Sequence, residues 1–265
     1  DPRFWGWLYN MEHELRQNIP LMYYNIWDDL PFPHWNENAY ESCDLLMAIS
    51  KQTYNINKHV CQRKPRRECL DLTYVPHGID EKVFKPLEYA DYADIKTKIF
   101  GDRDIDFLAL FNSRNITRKH PADLISAFSS FVRDHVPSDK KAALLLHTDP
   151  VDQHGTDLPA VAKKIASNVE VIFSNQKLSA PDLNKLYNLA DVMCNPSSAE
   201  GFGLTHMEAM MAGTPTIASV IGGLQDQMGF LVDGKPFGVQ HLSEEIPSNS
   251  TGLISKDWGK WTYPL

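Results

Sequence analysis

Long apolar runs are missing from this 265-residue chain. The longest, such as Phe107 to Phe111, reach only five residues, where a membrane-spanning helix requires roughly 20. Cysteine is scarce as well. Cys43, Cys61, Cys69 and Cys194 show neither CxxC spacing nor the density of a disulfide framework, so they read as reduced thiols, and the expected compartment is cytoplasmic. Positive charge is in deficit, with 26 Lys and Arg against 34 Asp and Glu and a formal net charge of −8. That excludes a phosphate-tracking nucleic-acid binder as the default reading. Internal repeats and low-complexity tracts are lacking. The opening DPRFWGW has no initiator Met and no signal-peptide layout, so Asp1 reads as an interior residue of a longer protein. What is present, 43% hydrophobic and 23% charged residues, belongs to an ordinary globular chain able to bury a core.

Beyond residue 100 the apolar pattern alternates. The runs Ile105 to Phe111, Ala142 to Leu146, Val169 to Phe173, Asp191 to Cys194 and Thr216 to Ala218 predict strands. Between them lie helical stretches after Pro121, near Asp157 to Ala166, across APDLNKLYNLA and from Leu204 to Met211. Short apolar runs separated by helices predict an α/β domain with a doubly wound parallel sheet. Ligands of such sheets bind beyond the carboxyl ends of the strands. The first ninety residues repeat this logic less completely, with strands expected at Leu21 to Tyr24, Leu45 to Ile49 and Leu72 to Val75, and helices at Trp35 to Ser42 and Lys51 to His59. Proline and glycine in PHGIDEKVFKP mark a connector and place a domain boundary between Pro76 and about Gly101. The expected division is a partial first lobe over residues 1–90 and a second lobe over 91–265.

Chemistry concentrates in two segments. In NPSSAEGFGLTHMEAMMAGTP, Asn195 to Pro215, a polar loop with Gly201 and Gly203 runs into a helix. Glycines there let the backbone approach a ligand, and the first helical turn offers N–H groups to an anion or polar sugar. Glu200 lies on the loop and Glu208 on the helix, one turn beyond Leu204 and Thr205, and a carboxylate so placed can accept both hydroxyls of a vicinal diol such as ribose. A solvated helix with an ordinary turn is the plainer alternative. The start Gly201-Phe202-Gly203 resembles a dinucleotide fingerprint but lacks the third glycine, where His206 stands. In the second segment, SRNITRKHP, Arg114, Arg118, Lys119 and His120 precede a helix. Positive charge at that end opposes the helix dipole, and a fork-shaped Arg beside a point-charge Lys suits a diphosphate. A solvated basic turn is the alternative.

These two segments, in this order, resemble the nucleotide-sugar site of retaining GT-B glycosyltransferases with the E-x7-E motif, the group 1 or family 4-like enzymes. EGFGLTHMEAMMAGTP follows that motif almost throughout, and Arg114 and Lys119, five residues apart, match the family's diphosphate-gripping pair. VPHGID with Phe84 resembles its interdomain segment, and ASVIGG followed by Asp226 resembles its Gly-Gly loop with an acid three residues on. The likeness runs from about Pro20 to Asp233.

The resemblance implies a GT-B fold of two Rossmann-like lobes, the amino-terminal one truncated. It also implies transfer of a sugar from a nucleoside diphosphate sugar to an unknown glycan, lipid or protein acceptor, with retention and without a metal ion or other cofactor. Glu208 would hold the donor ribose and Glu200 would contact the transferred sugar. The amides of Gly201, Phe202, Gly203 and Leu204 would meet the sugar or diphosphate, with Gly222 and Gly223 also on the donor side. Arg114 and Lys119 would neutralise the leaving diphosphate, and the loop Asn175 to Leu178 would contact the base.

Departures from the family pattern leave rivals open. Trp27-Asp28 stands where the family often has a His-Asp pair, unless His34 takes that part, and His77 replaces the usual Asn of VPNG. A non-catalytic nucleotide-sugar binder, or a GT-B epimerase or phosphorylase, therefore stays in play. The cluster HTDPVDQHGTD, His147 to Asp157, has metal-ligand residue types, but its irregular spacing favours a polar loop. The aromatic-rich start with Trp5, Trp7, Tyr23, Tyr24 and Trp27 reads as core rather than as a sugar-stacking platform.

Overall fold

A computed structural model of the protein describes residues 2–29, 31–61, 70–232, 234–236 and 261–262. Cys69 lies outside them. The chain forms two compact units. The first comprises Asp1–His77, Ala199–Gly203 and Val220–Leu265, and the second Gly78–Ser198 and Leu204–Ser219. This differs from a single cut after residue 90: the chain passes between the units repeatedly, because two later segments pack with the amino-terminal residues.

In the first unit, helices α1 (Gly6–Asn10) and α2 (Glu12–Leu15) precede strand β1 (Met22–Asn25), helix α3 (Glu37–Glu41), strand β2 (Leu45–Ala48), helix α4 (Lys51–Cys61) and strand β3 (Asp71–Tyr74). The strands run parallel in the order β1-β2-β3. Tyr40, Leu46, Ile56, Val60 and Leu70 form the core, with Tyr23 and Trp27 packed against it. Trp5 and Trp7 correct the expectation of a wholly buried aromatic start: they are 51% and 62% exposed. Each sits on a single turn of helix with the other indole as neighbour, ring centroids 6.4 Å apart, and one turn cannot lay a broad apolar face on the sheet.

The second unit begins with helix α5 (Tyr89–Phe100), followed by β4 (Phe107–Asn112), α6 (Pro121–His135), β5 (Ala142–His147), α7 (Leu158–Ile165), β6 (Glu170–Ser174), α8 (Ala180–Leu189), β7 (Val192–Asn195), α9 (Leu204–Met211) and β8 (Thr216–Ala218). Its five-stranded sheet is parallel, in the order β6-β5-β4-β7-β8. All five expected strands are present. Alternation along β4 and β5 explains the double winding: Leu108, Leu110, Ala143 and Leu145 enter one core with Leu186, Tyr187 and Ala209. Ala109, Phe111, Leu144 and Leu146 enter the other with Ile125, Phe128 and Leu158. Successive side chains of a strand point to opposite faces, so a strand apolar at every position demands helices on both sides.

Two helices depart from the sequence reading. Helix α5 lies between the connector Pro76 to Pro86 and Gly101, within the interval given to the domain boundary, where no helix was expected. YADYADIKTKIF carries a weak apolar pattern, with only Ile95 and Phe100 buried, and Gly101 ends it at φ +58°. Gly222 and Gly223, read as loop, open helix α10 (Gly222–Gln227) in the first unit.

Register is set at the amino ends by a repeated device. Asp44, just before β2, donates its N–H to Leu21 O at 2.7 Å and accepts Leu21 N–H on its carboxylate at 2.8 Å. Asp106, before β4, makes the same pair with Lys141, both at 2.8 Å. Asp191, before β7, makes it with Leu108 at 3.0 and 2.7 Å. Each aspartate thus extends the ladder by one rung in which a side chain replaces a carbonyl. Leu108 is 3% exposed, so losing this acceptor leaves a buried N–H unpaired. Asp191→Ala should lower unfolding free energy by about 1–3 kcal/mol, and Asp191→Asn, which keeps an acceptor oxygen, by much less. Denaturant titration of the three proteins distinguishes these, and equal losses for Ala and Asn would contradict the assignment.

Candidate functional site

In the second unit, the loops after β4, β5 and β7 are laced together at the carboxyl edge of the sheet. Asn115, fully buried, donates its side-chain amide to Asp149 O, Pro150 O and Thr156 O at 3.2, 3.3 and 2.7 Å, and accepts Thr156 N–H at 3.2 Å. Gly155 is required beneath it, since a Cβ there would lie 2.1 Å from Asn115 O. Ser198, after β7, donates its N–H to Arg118 O at 2.8 Å. The basic segment is therefore held from both sides by neighbouring loops.

Within that segment, Lys119 closes a single 3₁₀ turn, Thr117–Lys119, and is 6% exposed. His120 follows at φ +52°, the left-handed region, with Nδ1 2.9 Å from Asp123 Oδ2, and hands over to Pro121 at the first position of α6. Arg114 has a partner that the sequence did not reveal. Its Nε lies 2.9 Å from Asp152 Oδ2 and its Nη2 3.4 Å from Oδ1. The Arg114 side chain stays 59% exposed while that of Asp152 is 8% exposed. The Arg114 guanidinium holds the Asp152 carboxyl below the usual range. The clue was in the topology: β4 and β5 are adjacent and parallel, with Asn112 opposite His147, so their following loops share one edge. Asp152 also accepts His154 N–H at 2.8 Å, and His147 Nδ1 lies 3.1 Å from Ser174 Oγ. Among the described residues no three His, Cys, Asp or Glu side chains gather as metal ligands.

Glu208 sits on α9 in this unit, half-buried, and burial pushes its carboxyl pKa up. Tyr187 on α8 donates its hydroxyl to Glu208 Oε2 at 2.7 Å, and Asn112, at the end of β4, donates its side-chain amide to the Tyr187 oxygen at 2.9 Å. Leu204 opens α9 and is 45% exposed. Leu178 packs on the core beside α8, and with Asn175, Gln176, Ser174 and Lys98 it lines a cleft of about 220 Å³.

Glu200 and the glycines of both Gly motifs belong to the first unit. There the loop and the start of α10 touch backbone to backbone. Gly223 donates its N–H to Glu200 O at 3.0 Å, and a Cβ on Gly223 would stand 2.3 Å from Phe202 Cα. A Cβ on Gly222, at φ +43°, would stand 1.9 Å from Glu200 O. Gly203 has φ +89°, and a Cβ there would meet Leu224 Cδ2 at 2.4 Å, while Gly201 lies near Ile26 O. Packing within the unit thus demands Gly203, Gly222 and Gly223 whatever else they do, whereas a Cβ on Gly201 would make ordinary contact. Phe202 is 5% exposed, and its ring meets His77 edge-on at 5.3 Å. Trp27 donates its indole N–H to Asp29 O at 2.6 Å, meets Trp35 at 5.6 Å and accepts Thr53 Oγ1 on its carbonyl at 2.8 Å.

The acid of α10, Asp226, accepts Lys51 N–H at 2.8 Å and lies near the Tyr74 hydroxyl. Burial raises its pKa to about 6, against the pull of nearby Lys51, whose own pKa burial lowers. Gln52 Oε1 accepts Gly222 N–H at 2.8 Å. α4 is therefore tied to α10 at two successive residues.

Two units of parallel sheet wrapped by helices, with the polar loops at the carboxyl ends of their strands, define the GT-B class. The profile of the family described as "Glycosyl transferases group 1" matches residues 94–244, more than half of the chain, and the chain belongs to that family. It is similar to the D-inositol 3-phosphate glycosyltransferase of Kribbella flavida, 25% identical over 236 residues, covering 84% of this chain and 53% of the relative. It is also similar to the mannosylfructose-phosphate synthase of Agrobacterium fabrum, 29% identical over 191 residues, covering 70% and 39%. The chain thus spans about half the length, or less, of these relatives. Among solved structures, Anabaena HepE in complex with UDP and glucose aligns with a TM-score of 0.61 at 20% identity, covering 86% of this chain and 61% of that one. Sucrose-phosphate synthase of Thermosynechococcus elongatus aligns at 0.59 and 22% identity, covering 88% and 59%. At such identities the structures establish the shared fold.

An acid whose pKa rises on folding holds its proton more tightly in the folded state. Folding stability therefore improves as pH falls through about 6 toward the unfolded value near 3.8, and the burial penalty is fully present above about 6. Asp226→Asn should gain stability relative to wild type at pH 8, by up to about 3 kcal/mol, and the gain should fade toward pH 4. Denaturation midpoints of both proteins across that range test the sign, and a difference independent of pH would refute it.

Proposed function

We propose that the chain carries the donor-side machinery of a glycosyltransferase that moves a sugar from a nucleoside diphosphate sugar to an acceptor with retention at the anomeric carbon. The observation that carries this reading is Glu208, a half-buried carboxyl tied through Tyr187 and Asn112 to the carboxyl end of the central strand, where doubly wound sheets take their ligands. Its charge suits a diol, which offers two O–H donors and has to be met by acceptors. Family membership supports the transferase reading, and the relative solved with UDP and glucose supports a nucleotide donor. The Asn175 to Leu178 cleft is proposed for the base.

Bond cleavage at the anomeric carbon leaves negative charge on the diphosphate, which positive charge fixed in advance stabilises. Arg114 and Lys119 are proposed to supply it in place of a metal ion, with the braced loops keeping both in position. Arg114 approaches with one edge engaged by Asp152, so this carboxylate tunes its charge and orientation. Glu200 and the amides of the Gly201 to Leu204 segment are proposed for the transferred sugar and the diphosphate, together with Gly222 and Gly223. A non-catalytic nucleotide-sugar binder is the second reading, favoured by Trp27, whose indole is engaged with Asp29 and Trp35 where the family often has histidine. Release of product from a donor panel, followed by mass spectrometry, separates the two and names the sugar.

Glu208→Ala should weaken nucleoside diphosphate binding at least tenfold, since bonds to a charged group contribute about 1.5–3 kcal/mol each. Unchanged calorimetric affinity would remove the central residue of the reading. Activity should persist in excess EDTA, while Arg114→Ala and Lys119→Ala each lose roughly tenfold to more than a hundredfold in rate. Loss of turnover on chelation, restored by Mg²⁺ or Mn²⁺, would reverse the assignment of charge stabilisation to side chains.

A further inference from the structure

Tyr187 is fully buried, and so is all but a small part of Asn112, at 8% exposure. A phenol has one proton to donate. With the Asn112 amide donating into the phenol oxygen at 2.9 Å, that proton points at Glu208 Oε2, 2.7 Å away. The order Asn112 to Tyr187 to Glu208 is self-consistent only while Glu208 is an acceptor on that oxygen. A protonated Glu208 donating to Tyr187 would need the phenol to donate back toward Asn112, and so a turned amide. The buried chain therefore favours the ionised carboxyl, against the burial that raises its pKa.

We propose that Tyr187, fixed by Asn112, is a positioning residue for ligand recognition: it occupies one oxygen of Glu208 and holds that carboxyl as an acceptor for the hydroxyls of a nucleotide ribose. This deepens the function proposed above and rests on Glu208 binding the ribose. The other titratable groups on the elements packed against α9 do not compete for this part. On α8, Asp182 bonds Ser179 and Lys185 pairs with Asp94. Cys194 on β7 is a buried thiol whose pKa burial raises, and β8 has no titratable side chain. His206, on α9 itself, is buried with its pKa pushed down to about 4, so it is neutral over the range that matters. Sequence reasoning missed Tyr187 because its spacing in APDLNKLYNLA is that of a core residue, and only the hydroxyl at its tip distinguishes it from Phe.

The test compares UDP and GDP with their 2′,3′-dideoxy analogues in calorimetric titrations between pH 5 and pH 8. Wild type should prefer the ribonucleotides, and Glu208→Ala should abolish that preference. Tyr187→Phe, which keeps the ring, should cut the preference by about tenfold without weakening dideoxynucleotide binding. Its ribonucleotide affinity should also begin to fall at a higher pH than in wild type, because the bond that favours the carboxylate is gone. A packing role alone would weaken both nucleotide types together and leave the pH profile in place. Tyr187→Phe with wild-type preference and pH profile overturns the proposal while the Glu208 reading survives. Preference retained in Glu208→Ala, or no binding of either nucleotide by wild type, overturns the Glu208 reading and the proposal with it. If Tyr187→Phe fails to fold, Asn112→Ala carries the same comparison, with changes in the same direction.

Discussion

A parallel strand buried on both faces can show polar chemistry only at its ends, and β4 is such a strand. It lies between β5 and β7, and the side chains from Leu108 to Phe111 are divided between two apolar cores. The polar side chains of the proposed site in the second unit are therefore gathered at one rim. Asn112 stands at that rim, the basic segment follows it, and the loops after β5 and β7 brace that segment through Asn115 and Ser198. Burial then acts on the few polar groups near the rim. It raises the Glu208 pKa, and a donated phenol proton offsets part of that rise.

The elements whose apolar periodicity is unambiguous were legible in the sequence. β4 and β5 are continuous apolar runs with helices on either side, and the structure forms them with ends moved by a residue or two. Helix α5 was not legible because it buries little more than Ile95 and Phe100, and its proline-rich approach looked like a linker. Trp5 and Trp7 misled in the opposite direction: large aromatics usually signal a core, but these sit on turns too short to build one. Of the candidate site, Glu208, Arg114 and Lys119 were singled out by residue type and spacing together with the resemblance to the family's motifs. Their partners stayed hidden because Asp152 meets Arg114, and Tyr187 meets Glu208, only through the order of the strands, which no local pattern encodes.

The glycines illustrate how two demands can fall on one residue. Gly201, Gly203, Gly222 and Gly223 were expected beside a ligand, and the last three also permit a close approach inside the first unit. Glu200 belongs to that unit and Glu208 to the other, so one short motif contributes to two separately packed bodies. Lys51 and Gln52 on α4 secure the α10 end of this arrangement through Asp226 and Gly222.

The three aspartates that precede β2, β4 and β7 lie at the opposite end of their strands from all of this. A slip of one residue would turn every side chain of a strand to the wrong face, and these acids oppose it by locking the first rung. Alignment is consequently confined to the end of each strand that lies away from the proposed site. The loops at the carboxyl edge can therefore change length and composition without unsettling the pairing beneath them, so one framework can carry differently shaped loops while its strands stay in step.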